Sequence, residues 1–357
     1  MSRVSRFPRQ FSRPPTLRTG LIRRPFLTHT ALATAGDGMG TDDMAHRCDH
    51  TLHRTIHHHG WNNANPPARR IAPGQTVEFD TIDASGGQIT PVSGVEAVRN
   101  LDFALVNPVT GPVYVDGAEP GDAIRVKILG FSPSGWGWTA NIPGFGLLAD
   151  QFPDPALHLW SYATTSMGPA AFGPGGRVPL KPFPGTIGLA PAAHGTHSIV
   201  PPRRVGGNLD VRDISEGVEL WLPVEVAGGL FSVGDMHAAQ GDGEICGTAI
   251  ESPMSVAISF DLEKRANLKY PRFRTPGPVT RHLDAKGYDA TMGIGPDLMV
   301  AAREAVSQMV DLLSRRTGMA AVEAYMLCSV AGDLRISEIV DQPNWVVSFY
   351  FPRMVLE

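Results

Sequence analysis

One eleven-residue segment concentrates the side chains that could do chemistry. From Gly234 to Glu244 the sequence reads GDMHAAQGDGE, which places three carboxylates, one imidazole and one carboxamide among glycines. Glycine lets the backbone turn tightly, so these side chains can converge on one point. Imidazole together with carboxylates is a ligand set of zinc and similar divalent cations. The segment therefore predicts a metal site, and an acidic surface loop without a ligand is the alternative interpretation.

Other carboxylates could join that site from separate stretches of chain. Asp210 follows paired glycines in the segment GGNLD, which suits a tight turn that presents a carboxylate. Asp83 lies beside a glycine pair at the end of a predicted strand, and Glu251 follows a predicted strand and could point back to the acidic segment. Glu119 lies in a predicted hairpin turn. For Asp210 and Glu119, an ordinary turn residue is the alternative.

The elements that must position these side chains are mostly short strands. The chain contains 39 Gly and 31 Pro in clusters without a period, which favours many turns over a helical bundle. Residues 76–82 and 123–129 alternate apolar and polar side chains, as strands do. From Pro296 to Arg316 the apolar spacing becomes helical, with Gly318 at the end. The sequence predicts an α+β class, mostly antiparallel β, with a sandwich- or barrel-like β bulk and a smaller C-terminal α+β portion.

The length of 357 residues suggests two domains or one large β-rich unit. We predict a disordered basic tail over residues 1–44, a β-rich catalytic domain over 45–265, and a C-terminal α+β portion over 266–357 that completes the fold.

The charge distribution excludes several classes of partner. The first 24 residues hold seven Arg and no acid, so the rest has 24 basic residues against 35 acidic ones, a net charge of −11. An acidic body does not attract nucleic acid or anionic membrane surfaces, and the sequence has no apolar run of about 18 residues. Three cysteines do not make a disulfide framework, which predicts a cytoplasmic protein. A twin-arginine export signal around Arg23-Arg24, or an organelle transit peptide, is the alternative.

Five segments resemble the acetamidase/formamidase family. They are GPVYVDGAEPGD at 111–122, PFPGTIGLAP at 182–191, GGNLD at 206–210, LFSVGDMHAAQGDGEICGTAIE at 230–251 and CSVAGDLRISEIVDQPN at 328–344. The resemblance covers about residues 46–355. It implies a β-rich homo-oligomer that hydrolyses a small linear or cyclic amide, such as formamide or acetamide, with a divalent metal, usually zinc. By position it implies the following site residues: Asp83, Asp210, His237, Asp242, Glu244 and Glu251.

A metal-assisted mechanism follows as a hypothesis. A bound divalent cation lowers the pKa of water from about 15.7 to about 7 and polarises a carbonyl group. We expect His237 and Asp210 to be ligands, with Asp83, Asp242 and Glu251 as further candidates. The remaining roles are assigned as follows: Glu244 carries the proton from water to the leaving nitrogen, Glu119 is a less favoured stand-in, and Asn208 or Gln240 hydrogen-bonds the amide.

Two other readings stay open on the sequence alone. Cys246 could be the nucleophile of a cysteine amidase, although its apolar, strand-like surroundings favour a buried thiol. The chain could also be a non-catalytic β protein that binds a metal or a small ligand. We interpret the His57–His59 tract as an exposed stretch, and a metal ligand from this tract is the alternative. Trp136 and Trp138 could line the substrate pocket or pack in the core.

Overall fold

The computed structural model describes residues 48–173 and 175–356; the predicted tail at 1–44 and the Arg23-Arg24 segment lie outside them. In chain order the strands are β1 (His50–Leu52), β2 (His57–His58), β3 (Arg69–Ile71), β4 (Thr76–Asp80), β5 (Val109–Val115), β6 (Ala123–Pro133), β7 (Trp136–Asn141), β8 (Ala156–Ser161), β9 (Ala170–Phe172), β10 (Gly176–Val178), β11 (Phe183–Gly188), β12 (Gly206–Asn208), β13 (Glu219–Pro223), β14 (Phe231–His237), β15 (Met254–Glu263), β16 (Arg272–Arg274), β17 (Tyr288–Gly295), β18 (Asp333–Glu338) and β19 (Trp345–Pro352). The helices are α1 (Glu96–Arg99), α2 (Leu298–Thr317) and α3 (Ala321–Ala331), and a 3₁₀ turn covers Arg353–Val355.

Two large open sheets make up most of the fold. The first has the strand order β1-β4-β15-β6-β13-β16, and the second has the order β12-β11-β14-β5-β2 with β3 beside β5. The pairs β1–β4 and β3–β5 are parallel, whereas the other pairs in these two sheets are antiparallel. The predicted α+β class with a mostly antiparallel β bulk is confirmed.

The two sheets stack face to face as a sandwich. Phe79 on β4 and Phe260 on β15 belong to the first sheet, and both contact Phe231 on β14 of the second, with ring centroids 5.5 and 4.9 Å apart. On β4 the buried residues Val77 and Phe79 alternate with half-buried polar ones. This alternation is the period-two pattern that predicted the strand, because successive side chains of a strand point to opposite faces.

The C-terminal residues add a smaller α+β layer. The strands β17, β19 and β18 form a three-stranded antiparallel sheet that α2 covers. α2 begins two residues after the predicted start because the side chain of Asp297 accepts a hydrogen bond from Val300 N, at 2.9 Å, and caps the helix. It ends at Gly318, which has a φ of +76°. No helix of the described residues has the length and apolarity that crossing a membrane requires.

Candidate active site

Three neighbouring strands of the second sheet bring the central residues together. β12 lies beside β11, and β11 lies beside β14. Asp210 follows β12, and its backbone N–H donates to Gly185 O on β11 at 3.1 Å. His237 is the last residue of β14. A Cβ atom on Gly185 would lie 2.7 Å from His237 Cε1 and 2.8 Å from Asp210 Oδ1, so only glycine leaves the space between them.

Two further segments close on the end of β14. The backbone of Glu251 exchanges hydrogen bonds with Trp138 on β7, and Ala238 N donates to Ile250 O. This pairing brings Glu251 Oε2 to 3.1 Å from His237 Nε2. Glu244 lies in the turn after β14, where its carbonyl oxygen accepts a hydrogen bond from Gly247 N at 2.8 Å.

The His237 ring has a defined orientation and tautomer. Its Nδ1 lies 2.9 Å from Gln240 Oε1, and Gln240 Nε2 donates to Asp210 O at 2.8 Å. Because an amide oxygen only accepts, Nδ1 must carry the hydrogen. Nε2 therefore faces the carboxylates, with Asp235 Oδ1 at 3.3 Å. A ligating histidine typically has such a partner on its other nitrogen.

Five side chains form two groups that share His237. One group is Asp210, His237 and Glu244, the other is Asp235, His237 and Glu251, and within each group the ligand atoms lie within 4.8 Å of one another. Asp210, Asp235 and Glu244 have φ values of +50°, +53° and +43°. Non-glycine residues rarely adopt this left-handed conformation, and strained backbone of this kind concentrates at functional sites.

A cavity of about 540 Å³ opens beside these groups. Asp210, Asp235, Glu244 and Glu251 belong to its lining, and most of the other lining residues are apolar. The site thus has both a cluster of metal-ligating side chains and space for a small organic molecule.

The crowding of carboxylates shifts their protonation. Burial raises the pKa of Asp210 to about 7, and Asp235 adds to the shift. Burial likewise raises the pKa of Glu251 to about 7, against the opposing effect of His237. Burial and then Asp210 raise the pKa of Glu244 well above its usual value. Burial opposes the charged imidazole of His237, but Glu251 and Asp235 outweigh it and raise its pKa.

The donor set fits a divalent cation. Glu251 Oε2 is buried and pairs with His237 Nε2 at 3.1 Å, whereas Asp210 Oδ1 is a buried oxygen that accepts no hydrogen bond from the described residues. Buried polar atoms of this kind are rare without a partner, and several carboxylates at one point repel one another unless a positive charge lies between them. Each of these carboxylates lies with His237 in one of the two groups, and such a combination of oxygen and nitrogen ligands suits zinc and its neighbours in the first transition row.

Comparison with known proteins identifies the family. The model of the acetamidase/formamidase family matches residues 43–199 and 192–357. The chain belongs to the acetamidase/formamidase family. A formamidase of Methylophilus methylotrophus is 34% identical over 29% of this chain and only 27% of its own length, whereas a putative formamidase of Schizosaccharomyces pombe is 28% identical over 84% of this chain and 90% of its own. The solved structure of a gamma lactamase from Delftia acidovorans superposes with a TM-score of 0.80 at 27% identity, covering 86% of this chain and 93% of that one.

Three residues that the family resemblance and the sequence suggested lie away from His237. The carboxylate of Asp83 accepts hydrogen bonds from Ser85 N, Gly87 N and the indole of Trp138. Asp242 lies 3.3 Å from Arg212 Nε. Glu119 is 75% exposed and lies 3.6 Å from Lys264 Nζ. The structure thus brings Asp210, His237, Glu244 and Glu251 together and places these three elsewhere.

The two predicted amide-binding residues have different surroundings. Gln240 lies behind His237, as described above. Asn208 lines the cavity, and its Oδ1 accepts a hydrogen bond from Thr186 Oγ1 at 2.6 Å. Its amide nitrogen is therefore the group that it can offer to a substrate oxygen.

Asp235 is the site residue that the sequence argument did not select. It lies in the same acidic segment as Asp242, and its Oδ2 accepts a hydrogen bond from Asn107 Nδ2 at 3.2 Å and lies 3.1 Å from Thr186 Oγ1. The signal available in the sequence was its position two residues before His237, which places both side chains on one face of a strand.

The remaining candidates are not part of the two groups that share His237. Cys246 is buried, its Sγ lies 3.4 Å from Thr248 Oγ1, and burial raises the pKa of its thiol. In the tract at 57–59, His57 and His59 are exposed. The half-buried His58 lies 2.8 Å from Gly60 O and 2.9 Å from Ser232 Oγ.

Proposed function

We propose that this protein is a metal-dependent amidohydrolase that cleaves a small linear or cyclic amide to a carboxylate and ammonia or an amine. The observation that carries this proposal is the orientation of His237. Its Nδ1 is held by Gln240, and its Nε2 faces buried carboxylates beside a cavity. One buried carboxylate oxygen of this cluster, Asp210 Oδ1, accepts no hydrogen bond from the described residues. The names of the relatives, formamidase and gamma lactamase, support an amide as the substrate. Zinc is the proposed metal, and a homo-oligomer and a cytoplasmic location remain predictions.

His237 and Asp210 would hold the cation, and Asp235 and Glu251, which form the second group with His237, are the further candidate donors. When bound, a divalent cation supplies Lewis acidity, which activates water and polarises the amide carbonyl. The protein residues orient these parts: Gln240 fixes the imidazole, Asn107 donates to Asp235, and Thr186 donates to Asn208. Asn208 would donate its amide N–H to the substrate oxygen.

Glu244 would move the proton from water to the leaving nitrogen. It lines the cavity, and burial, followed by the charge of Asp210, raises its pKa well above the usual value, which favours a protonated carboxyl group that can donate to a leaving nitrogen. The buried thiol of Cys246 does not line the cavity, so it offers no nucleophile there.

Metal removal is the first test of this proposal. Dialysis against a chelator should abolish the release of ammonia from amides, and added zinc should restore it. Full activity in protein shown by elemental analysis to be free of metal would overturn the mechanism.

Exchange of the proposed proton carrier is the second test. Glu244→Gln should fold and bind metal but lose about 10²–10⁴-fold in kcat, the usual contribution of a general acid–base group. Glu119→Gln, at the exposed pair with Lys264, should keep wild-type kcat. If Glu119→Gln is the inactive variant, the assignment to Glu244 is wrong.

A further inference from the structure

The cavity beside His237 is much larger than a simple amide. Its volume is about 540 Å³, within the range of about 300–1,000 Å³ typical of sites for drug-sized ligands. Formamide or acetamide occupies on the order of 100 Å³ or less, scaled from about 30 Å³ for one water molecule in the liquid. A small amide at the carboxylate cluster would therefore leave most of the cavity filled with water.

The walls of this cavity are mainly apolar. They include Leu101, Trp138, Ile142, Phe145, Val200 and Met299, whereas Asn107, Asn208 and Thr248 are its uncharged polar side chains. Apolar surface that faces water is unfavourable, and a ligand that covers it gains affinity in proportion to the area covered. An apolar group attached to the amide would supply that cover.

The walls are fixed to the same segments that carry the carboxylates. The indole of Trp138 donates to Asp83 Oδ1 at 3.0 Å, and the backbone of Trp138 pairs with Glu251. Phe145 lies over Gly247, where a Cβ atom would come within 2.3 Å of Phe145 Cδ1. Gly247 in turn hydrogen-bonds to the backbone of Glu244. The apolar surface is thus preorganised at a set distance from the reacting groups.

We propose that this site selects amides whose acyl group is an apolar ring or chain larger than acetyl, with Trp138, Ile142 and Phe145 contacting that group. The proposal rests on the proposed amide hydrolysis and names its substrate class. It also gives Asp83 a role, because its hydrogen bond holds the Trp138 indole in the wall.

A series of primary amides with one head group tests the proposal. Acetamide, hexanamide and phenylacetamide are compared on the zinc-loaded protein by kcat/KM and, independently of turnover, by the shift in unfolding temperature that each produces. A methylene group in an apolar pocket discriminates about 10–200-fold, so we expect hexanamide and phenylacetamide to exceed acetamide at least tenfold in kcat/KM and to stabilise the protein more.

The two readouts separate this proposal from the one on which it rests. Hydrolysis that is fastest for acetamide would overturn the substrate class and leave the amidase. Stronger stabilisation by phenylacetamide without hydrolysis of any amide would support the substrate class and overturn the amidase. No response of either readout to any amide would overturn both.

Variants of the wall provide a matched comparison. Val200→Trp places an indole in the cavity. It should lower the ratio of kcat/KM for phenylacetamide to kcat/KM for acetamide at least tenfold, and it should reduce the extra stabilisation by phenylacetamide. Val92→Trp adds the same indole at a surface position that is 92% exposed and should leave the ratio unchanged. If Val200→Trp does not fold, Phe145→Ala at the partly exposed rim should lower the ratio instead. A ratio that neither wall variant changes would overturn the proposal.

Discussion

Gly185 contributes to the site by having no side chain. Its Cα lies beside both His237 and Asp210, and an added methyl group would come within 2.7 Å of the imidazole. A Cβ atom essentially never lies this close to another heavy atom, so the ring or the carboxylate must move.

We therefore expect Gly185→Ala to fold but to retain little metal. Its backbone is compatible with alanine because it is not in the left-handed region. Zinc content per chain, measured by elemental analysis after gel filtration, should fall well below that of the wild type. Gly94→Ala, where the new methyl group meets open space, serves as the control. Wild-type zinc content in Gly185→Ala would contradict a cation between these side chains.

Gln240 determines which nitrogen of His237 is free. Gln240→Leu removes the acceptor from Nδ1 and the donor to Asp210 O. Loss of such a supporting contact typically costs 10–100-fold in metal affinity. Competition with a chromophoric chelator should show a loss of this size, and Gln240→Glu, which keeps an acceptor for Nδ1, should lose less. Equal affinities in all three proteins would show that His237 is not a ligand.

The elements show how far the sequence could predict this structure. The alternation of apolar and polar residues predicted β4, and the helical spacing of apolar residues before Gly318 predicted α2. Both predictions were correct because the burial of one face of an element leaves a pattern in nearby residues. Asp235, and not Asp242, lies beside His237 because Asp242 pairs with Arg212, which comes from another part of the chain. The indole partner of Asp83 is likewise 55 residues distant in sequence. Local spacing does not contain such pairings.

The junction of α3 and β18 holds two loops of the site in place. Asp333 is fully buried and accepts two hydrogen bonds from Arg212, one of them at 2.9 Å from Nη2. Leu334 N donates to Asp242 O at 2.9 Å, and Gly241 packs directly on Gly332. The segments that carry Asp210 and Glu244 are therefore anchored to the C-terminal layer.

Removal of one partner of this buried pair should be costly. Asp333→Ala leaves the Arg212 guanidinium buried without its main counter-ion, and breaking such a pair typically costs 3–5 kcal/mol, so the free energy of unfolding should fall by about 3–5 kcal/mol. Urea unfolding followed by circular dichroism measures the change. Asp311→Ala, at an exposed position of α2, should change stability by less than about 0.5 kcal/mol. A similar small effect of Asp333→Ala would contradict an anchoring role.

Across the whole described chain, the β sandwich and the C-terminal layer depend on each other. The described residues, 48–173 and 175–356, form one compact unit by their contacts. β16, which lies beyond residue 265, pairs with β13 of the sandwich. The hydroxyl of Tyr325 on α3 accepts from Leu148 N at 2.8 Å and donates to Ile245 O, beside Glu244. The site therefore depends on residues from both parts, and its geometry is a property of the complete fold.

Two half-buried histidines, His58 and His282, should make the stability of the whole fold sensitive to acid. Burial, then the neighbouring imidazoles of His59 and His57, lower the pKa of His58 from 6.5 to about 4. Burial, then Lys181 and Arg212, lower the pKa of His282 to about 4. Both imidazoles are neutral in the folded protein at pH values where they are protonated in the unfolded chain.

The free energy of unfolding should therefore decline as the pH falls from about 6.5 to about 4. In this window the unfolded chain binds more protons than the folded one, whereas above pH 6.5 neither histidine contributes. The contribution of His58 amounts to at most about 3 kcal/mol. Urea unfolding at a series of pH values should show a smaller decline in His58→Asn than in the wild type. His194→Asn, at an exposed position that is not among the causes of the His58 shift, should retain the full decline, and comparing the variants removes the contribution of the metal site that all three share. An identical decline in His58→Asn and His194→Asn would show that His58 is not held neutral by its burial against β14.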